Sequence, residues 1–178
     1  MTYCVLTICT GNICRSPMAE HILRDAFEQE GLGDQVEVAS AGTSEWESGN
    51  PIDSRAGALL RRHGITSEEH RARRMGAPEL LGADLVLALD HDHVGPVRRV
   101  LGASRAEQTL RMVRDFAPEP VEDTGIRDPW YGDESDFDIV WEQVQEAVPG
   151  IVEHVRAALR EQDAHSAAGR DRRGGEAR

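Results

Sequence analysis

Hydrophobic positions along this chain fall into two rhythms. Four short apolar runs, Tyr3 to Ile8, Val36 to Ala41, Asp84 to Leu89 and Thr109 to Val113, lie between turn-rich stretches and predict strands. Pro17 to Gln29, Ile52 to His63, His91 to Leu101 and Phe137 to Glu161 carry apolar residues at helical spacing. Pro17 suits a first helical turn, where no N–H donor is needed, and Pro149-Gly150 is expected to kink or split the last helix. Strands alternating with helices predict an α/β fold built on a parallel sheet, and right-handed crossovers place helices on both faces. In such doubly wound, three-layer folds, ligands gather beyond the carboxyl ends of the strands, where the loop starting at Cys9 leaves the first one. From Arg114 to Asp136 the chain is rich in Pro, Gly and Asp and lacks periodicity, and a loop of that length predicts function. Gln162 to Arg178 is polar and free of large apolar residues, so it is expected to stay disordered.

Length and composition narrow the class. At 178 residues with 39% apolar types, the chain fits one domain with a real core, and no run approaches a membrane span. The N-terminus lacks the features of a signal peptide, so the cytoplasm is the expected compartment, although export by an unconventional route would leave no trace in the sequence. All three cysteines (Cys4, Cys9, Cys14) lie in the first strand and loop, no framework for stapling distant elements. A net charge of −12 argues against nucleic acid as a partner, and exclusive use of Arg over Lys carries no functional weight. Cys4 reads as a small core residue.

The chemistry concentrates in Cys9-Thr10-Gly11-Asn12-Ile13-Cys14-Arg15-Ser16, a turn from strand into helix. A catalytic cysteine attacks as thiolate and needs nearby positive potential. Inward-facing N–H groups at a helix N-terminus and the fork of Arg15 supply it, and the same features gather an anion. With five residues between Cys9 and Arg15, such a loop can wrap one phosphoryl group, with Thr10, Gly11, Asn12, Ile13 and Cys14 contributing its rim and sulfur beneath. Gly11 permits close approach or positive φ, and Asn12 tolerates left-handed geometry. The Ser16 hydroxyl is placed to donate to the Cys9 sulfur.

This loop resembles the signature of the low-molecular-weight protein tyrosine phosphatases. The likeness continues through Ser40-Ala41-Gly42-Thr43, Asn50-Pro51-Ile52-Asp53, His63-Gly64-Ile65, His70-Arg71-Ala72-Arg73, Ala83-Asp84-Leu85-Val86-Leu87 and Asp128-Pro129-Trp130-Tyr131-Gly132, sparing the tail. A bare Cys-x5-Arg is weak evidence; the full loop with a distant Asp-Pro-aromatic-Tyr segment is strong. The resemblance implies a four-stranded parallel sheet of order 2-1-3-4, a phosphatase domain over 1–161, and hydrolysis of phosphotyrosine and aryl phosphates through phosphocysteine. It casts Cys9 as nucleophile, Arg15 as phosphate clamp and Asp128 as general acid, which composition alone does not distinguish from Asp115, Asp123, Asp133 or Asp136. A positioned acid contributes roughly 10²- to 10⁴-fold.

The resemblance also places Ile13, Trp46, Trp130 and Tyr131 on the walls of the substrate pocket, makes Asn12, Ser16, Ser40 and His70 a network supporting the loop, and suggests a reversible disulfide between Cys9 and Cys14. No cofactor or metal is implied; Asp90-His91-Asp92-His93 looks like a ligand cluster, but alternating side chains diverge and Asp commonly caps helices. Expected partners are tyrosine-phosphorylated proteins, a tyrosine kinase among the candidates, with the chain a monomer or weak dimer. Three alternatives share the scaffold or the cradle. An arsenate reductase would need relay cysteines beyond Cys14, where there are none, and an arginine phosphatase is expected to carry Thr where Ile13 stands. A non-catalytic phosphate-binding module leaves Cys9, Ser16 and Asp128 unexplained.

Overall fold

The computed structural model describes residues 2–174. Four parallel strands, β1 (Tyr3–Cys9), β2 (Val36–Gly42), β3 (Leu85–Ala88) and β4 (Leu110–Met112), form one sheet in the order β2-β1-β3-β4. Helices α1 (Arg15–Gln29), α2 (Ser54–Arg62), α3 (Ala77–Gly82), α4 (His91–Leu101), α5 (Ala103–Thr109) and α6 (Glu134–Gly174) cover it. The alternation of side chains along a strand explains the three layers. Tyr3, Val5, Leu85 and Leu87 point into one core with Ile22 and Phe27 of α1, Leu59 of α2 and Val144 and Ile151 of α6, while Leu6, Ile8 and Val86 point into a second with Leu80, Val97, Leu101 and Ala106. Both faces of the sheet are covered, as parallel sheets require.

Several boundaries differ from the sequence reading. The short helices α3 and α5 go unpredicted, and α5 takes Thr109 from the expected fourth strand. Cys4 is half-buried rather than core, because β1 starts at the sheet's rim, where the Cys4 N–H meets the Asp84 carboxylate at 2.8 Å. Pro149 does not split α6. Gly150 beside it lets the Phe116 carbonyl approach so closely that an added Cβ would sit 2.3 Å away. Nor does the backbone change at Gln162: α6 continues as helix to Gly174, since Gln162, Ala164, Ala167 and Ala168 are good helix formers and extending an existing helix is cheap. Residues 175–178 of the expected disordered tail lie outside the described residues. Among the described residues no helix is long and apolar enough to cross a membrane.

Strand order reverses between β1 and β3, so β2 lies on one side of β1 and β3 on the other. The carboxyl end of β1 is therefore the switch point where crossovers diverge and leave a crevice. Cys9 is its last residue, and α1 starts six residues later.

Candidate active site

The turn from β1 to α1 holds its shape through Asn12, whose φ of 59° is the one left-handed non-glycine conformation among the described residues. That twist aims the Asn12 N–H at the Cys9 sulfur, 3.2 Å away. Gly11, by contrast, has no positive φ; its lack of a side chain gives room to Glu47, whose Cγ would stand 3.1 Å from a Cβ. The Asn12 side chain is fully engaged: Nδ2 donates to Ser16 Oγ at 3.0 Å and Ser40 Oγ at 2.8 Å, and Oδ1 accepts from the Arg73 N–H at 3.0 Å. His70 Nε2 meets the Asn12 carbonyl at 2.7 Å. Ser16 Oγ, already accepting from Asn12, lies 2.9 Å from Cys9 Sγ and 3.4 Å from the Ala41 carbonyl, so its proton is best placed on the sulfur. Asn12, Ser16, Ser40 and His70 thus share one network beneath the loop. No acidic residue sits in the first turn of α1, which leaves the positive end of the helix dipole uncompensated.

Arg15 is 3% exposed and anchored three ways. Nη1 donates to Asp90 Oδ2 at 3.1 Å and to the Ile126 carbonyl at 2.9 Å, and Nη2 donates to Asp128 Oδ2 at 2.7 Å. Asp128 caps the 3₁₀ turn Pro129–Tyr131, accepting from the Trp130 N–H at 3.1 Å, so Pro129 and the cap together fix where its carboxylate points. Cys9, Thr10, Ile13, Cys14, Arg15 and Asp128 line one pocket of about 130 Å³. Trp46, Glu47, Trp130 and Tyr131 complete its mouth, with Trp46 84% and Tyr131 91% exposed. Cys9 and Cys14 are both free thiols. Burial, reinforced by the charges of Asp53 and its neighbours, pushes the Cys14 thiol far up.

The family model for low molecular weight phosphotyrosine protein phosphatases matches residues 4–163, nearly the whole chain. The chain belongs to this family. It is similar to low molecular weight protein-tyrosine phosphatase A of Mycobacterium tuberculosis, 44% identical over 156 residues that cover 87% of this chain and 93% of that one. Among solved structures it resembles YfkJ from Bacillus subtilis, with a TM-score of 0.82, 29% identity and coverage of 89% and 97% of the two chains. It also resembles the Drosophila arginine phosphatase, with a TM-score of 0.77, 27% identity and coverage of 85% and 96%.

Several residues in this phosphatase pocket or behind it escape sequence reasoning. Asp90 caps α4 through the His91 N–H and also holds Arg15. His93, one turn on, is 1% exposed and meets Thr10 Oγ1 at 3.1 Å through Nε2. Burial, with the charge of Arg15 behind it, lowers the pKa of His93 to about 4. The Asp90 to His93 stretch therefore diverges: Asp90 reaches Arg15 and His93 reaches Thr10, whereas His91 turns to Asp123 at 2.9 Å. Arg55 grips Asp53 through Nε and Nη2 and reaches the Gly132 and Trp130 carbonyls, while the Asp53 N–H donates to the Ile13 carbonyl at 2.8 Å. That bridge ties the phosphate loop to the loop of Asp128. The only sequence signal for it is Asp53 as an N-cap before α2.

Proposed function

We propose that this chain hydrolyses phosphotyrosine in proteins, and aryl phosphates generally, through a covalent phosphocysteine. The observation that carries the reading is a sulfur held by the Ser16 hydroxyl and the Asn12 N–H in the same pocket as Arg15 and Asp128. The phosphoryl group enters over Cys9, and its oxygens take the Nη2 donor that Asp128 occupies, while Asp90 and Ile126 keep the guanidinium in place. Cys9 Sγ attacks phosphorus as the P–O bond to the phenol breaks. Asp128 passes its proton to the leaving oxygen, which without it leaves as a poor phenolate. Asp128 then takes a proton from water as the water attacks phosphocysteine, and Ser16 stabilises the departing sulfur. Equatorial charge rests on Arg15 and the loop amides throughout, and no cofactor takes part.

The walls favour a flat ring. Ile13 shares the pocket with Trp46, Trp130 and Tyr131, whose apolar faces suit a phenyl ring, and Glu47 is the acidic member of its mouth. The fold alone does not decide this, since an arginine phosphatase shares it. On this reading Cys14 guards the nucleophile: once peroxide oxidises Cys9 to the sulfenic acid, the Cys14 thiolate attacks that sulfur and hydroxide leaves to take a proton from solvent, closing a reducible disulfide. The partners are tyrosine-phosphorylated proteins, a tyrosine kinase among them, met in the cytoplasm. Purified protein is expected to turn over p-nitrophenyl phosphate and a phosphotyrosine peptide in EDTA, with phosphoarginine and arsenate far poorer. Full activity in Cys9→Ser, or preference for phosphoarginine, would overturn the assignment.

A further inference from the structure

Beneath the phosphate loop, on the side away from the pocket, Glu20, His21 and His70 converge without a role in the chemistry above. One ring nitrogen of each histidine and one Glu20 carboxylate oxygen lie within 4.8 Å of one another. His70 presents an arrangement common among metal ligands. Its Nε2 meets the Asn12 carbonyl, which can only accept, so in the neutral ring Nδ1 keeps a lone pair, and Nδ1 stands 4.0 Å from Glu20 Oε2. A ring N–H fixed on a backbone carbonyl is how proteins orient a ligating imidazole. His21 supplies an independent sign. It is 8% exposed, packs edge-on against His70 with ring centroids 6.3 Å apart, and its buried Nε2 has no hydrogen-bond partner.

We infer that Glu20, His21 and His70 form a site for a zinc-type divalent cation that restrains the phosphatase. Two imidazoles, one carboxylate and an open fourth position suit Zn²⁺, and bonds of about 2.0–2.2 Å set tetrahedral ligand atoms roughly 3.3 Å apart, so the three donors need draw in by roughly 1.5 Å at most. Two present contacts stand in the way and define the consequence. Glu20 Oε1 pairs with Arg24, whose side chain is 46% exposed and free to swing into solvent. Glu20 Oε2 accepts from Ser40 Oγ at 2.5 Å, and Ser40 in turn accepts from the Asn12 amide that shapes the loop. A cation that claims Glu20 therefore loosens, through Ser40, the hold on the Asn12 amide, and turnover falls while the pocket stays open to phosphate. The effect on turnover rests on the proposed catalytic reading; binding does not.

The test is a calorimetric titration of Zn²⁺ into Cys9→Ser, which removes the nucleophile as a competing ligand. One equivalent is expected to bind, and His21→Ala in the same background should weaken binding about tenfold or more. Unchanged affinity in that double variant, or no binding to Cys9→Ser, would overturn the site. His21→Ala alone should match wild-type turnover in EDTA, which reports its fold, and should resist zinc inhibition of kcat. Co²⁺ bound to Cys9→Ser gives a readout that needs no variant at the site: d–d bands without thiolate charge transfer are expected, whereas a thiolate band would place the metal on Cys4 or Cys14 and sink the proposal. Zinc binding with unaltered hydrolysis would refute the failure mode at Asn12, whereas absent hydrolysis in EDTA would instead refute the catalytic reading.

Discussion

Asp128 holds the Arg15 donor that, on the proposed mechanism, a phosphoryl oxygen takes, so on that reading acid and substrate compete for one guanidinium. Removing its charge should therefore separate catalysis from binding. Asp128→Asn is expected to slow p-nitrophenyl phosphate hydrolysis by about 10²- to 10⁴-fold, the contribution of a positioned acid, while inorganic phosphate or vanadate inhibits at least as tightly as before. Weaker inhibition would mean that Asp128 helps to hold the anion. Cys14 offers a second residue-scale test, because its burial among Asp53, Cys9 and Asp128 keeps it a thiol. Disulfide closure requires the thiolate, whose population rises with pH. After brief peroxide treatment, the disulfide fraction read by alkylation and mass spectrometry should climb steeply from neutral to alkaline pH, and a flat profile would count against Cys14 as the resolving group.

At the level of elements, α6 shows what the sheet demands of a helix. Val140, Val144, Ala147, Ile151 and Val155 recur every three or four residues and are buried on one side, and among the described residues Leu159 is the last to join them. Ile151→Ala should cost about 2 to 5 kcal/mol in urea unfolding, the range for deleting a buried aliphatic side chain, whereas ending the chain after Glu161 should change stability by less than about 0.5 kcal/mol. A large loss on truncation would place part of the folded unit beyond residue 161. The same periodicity made α1, α2, α4 and α6 legible in the sequence, and the dense apolar runs did so for β1 and β3. The helices α3 and α5 were not legible, because six or seven residues carry too little pattern and each is held by a core residue, Leu80 or Ala106, that only tertiary packing brings into place. Within the site, the loop from Cys9 to Ser16 was readable because its chemistry is contiguous. Asp90, His93 and Arg55 were not: each is a polar residue at a helix start, indistinguishable there from a solvated one until β3 and α2 bring their ends beside β1.

For the molecule as a whole, the junction of β3 with α4 links catalysis to stability. His93 is held within the fold under the first loop residue, its Nδ1 without a partner and its Nε2 on Thr10. Desolvation is the larger cause of its lowered pKa, the charge of Arg15 adds to it, and Asp90 opposes both. Since the folded value of about 4 lies below the ordinary 6.5, the unfolded chain binds the proton more readily between them. Stability therefore rises with pH, is intact above that ordinary value, and drains away as the pH falls toward the folded one. Linkage puts the loss between about pH 7 and about pH 5 at roughly 2 kcal/mol from this residue alone. His93→Gln, which does not titrate there, should flatten the acid limb by that amount in urea unfolding at the two pH values, on top of whatever the carboxylates contribute. An equal drop in the variant and the wild type would mean that the ring takes up its proton inside the fold, and the loop would then have to accommodate a second cation beside Arg15.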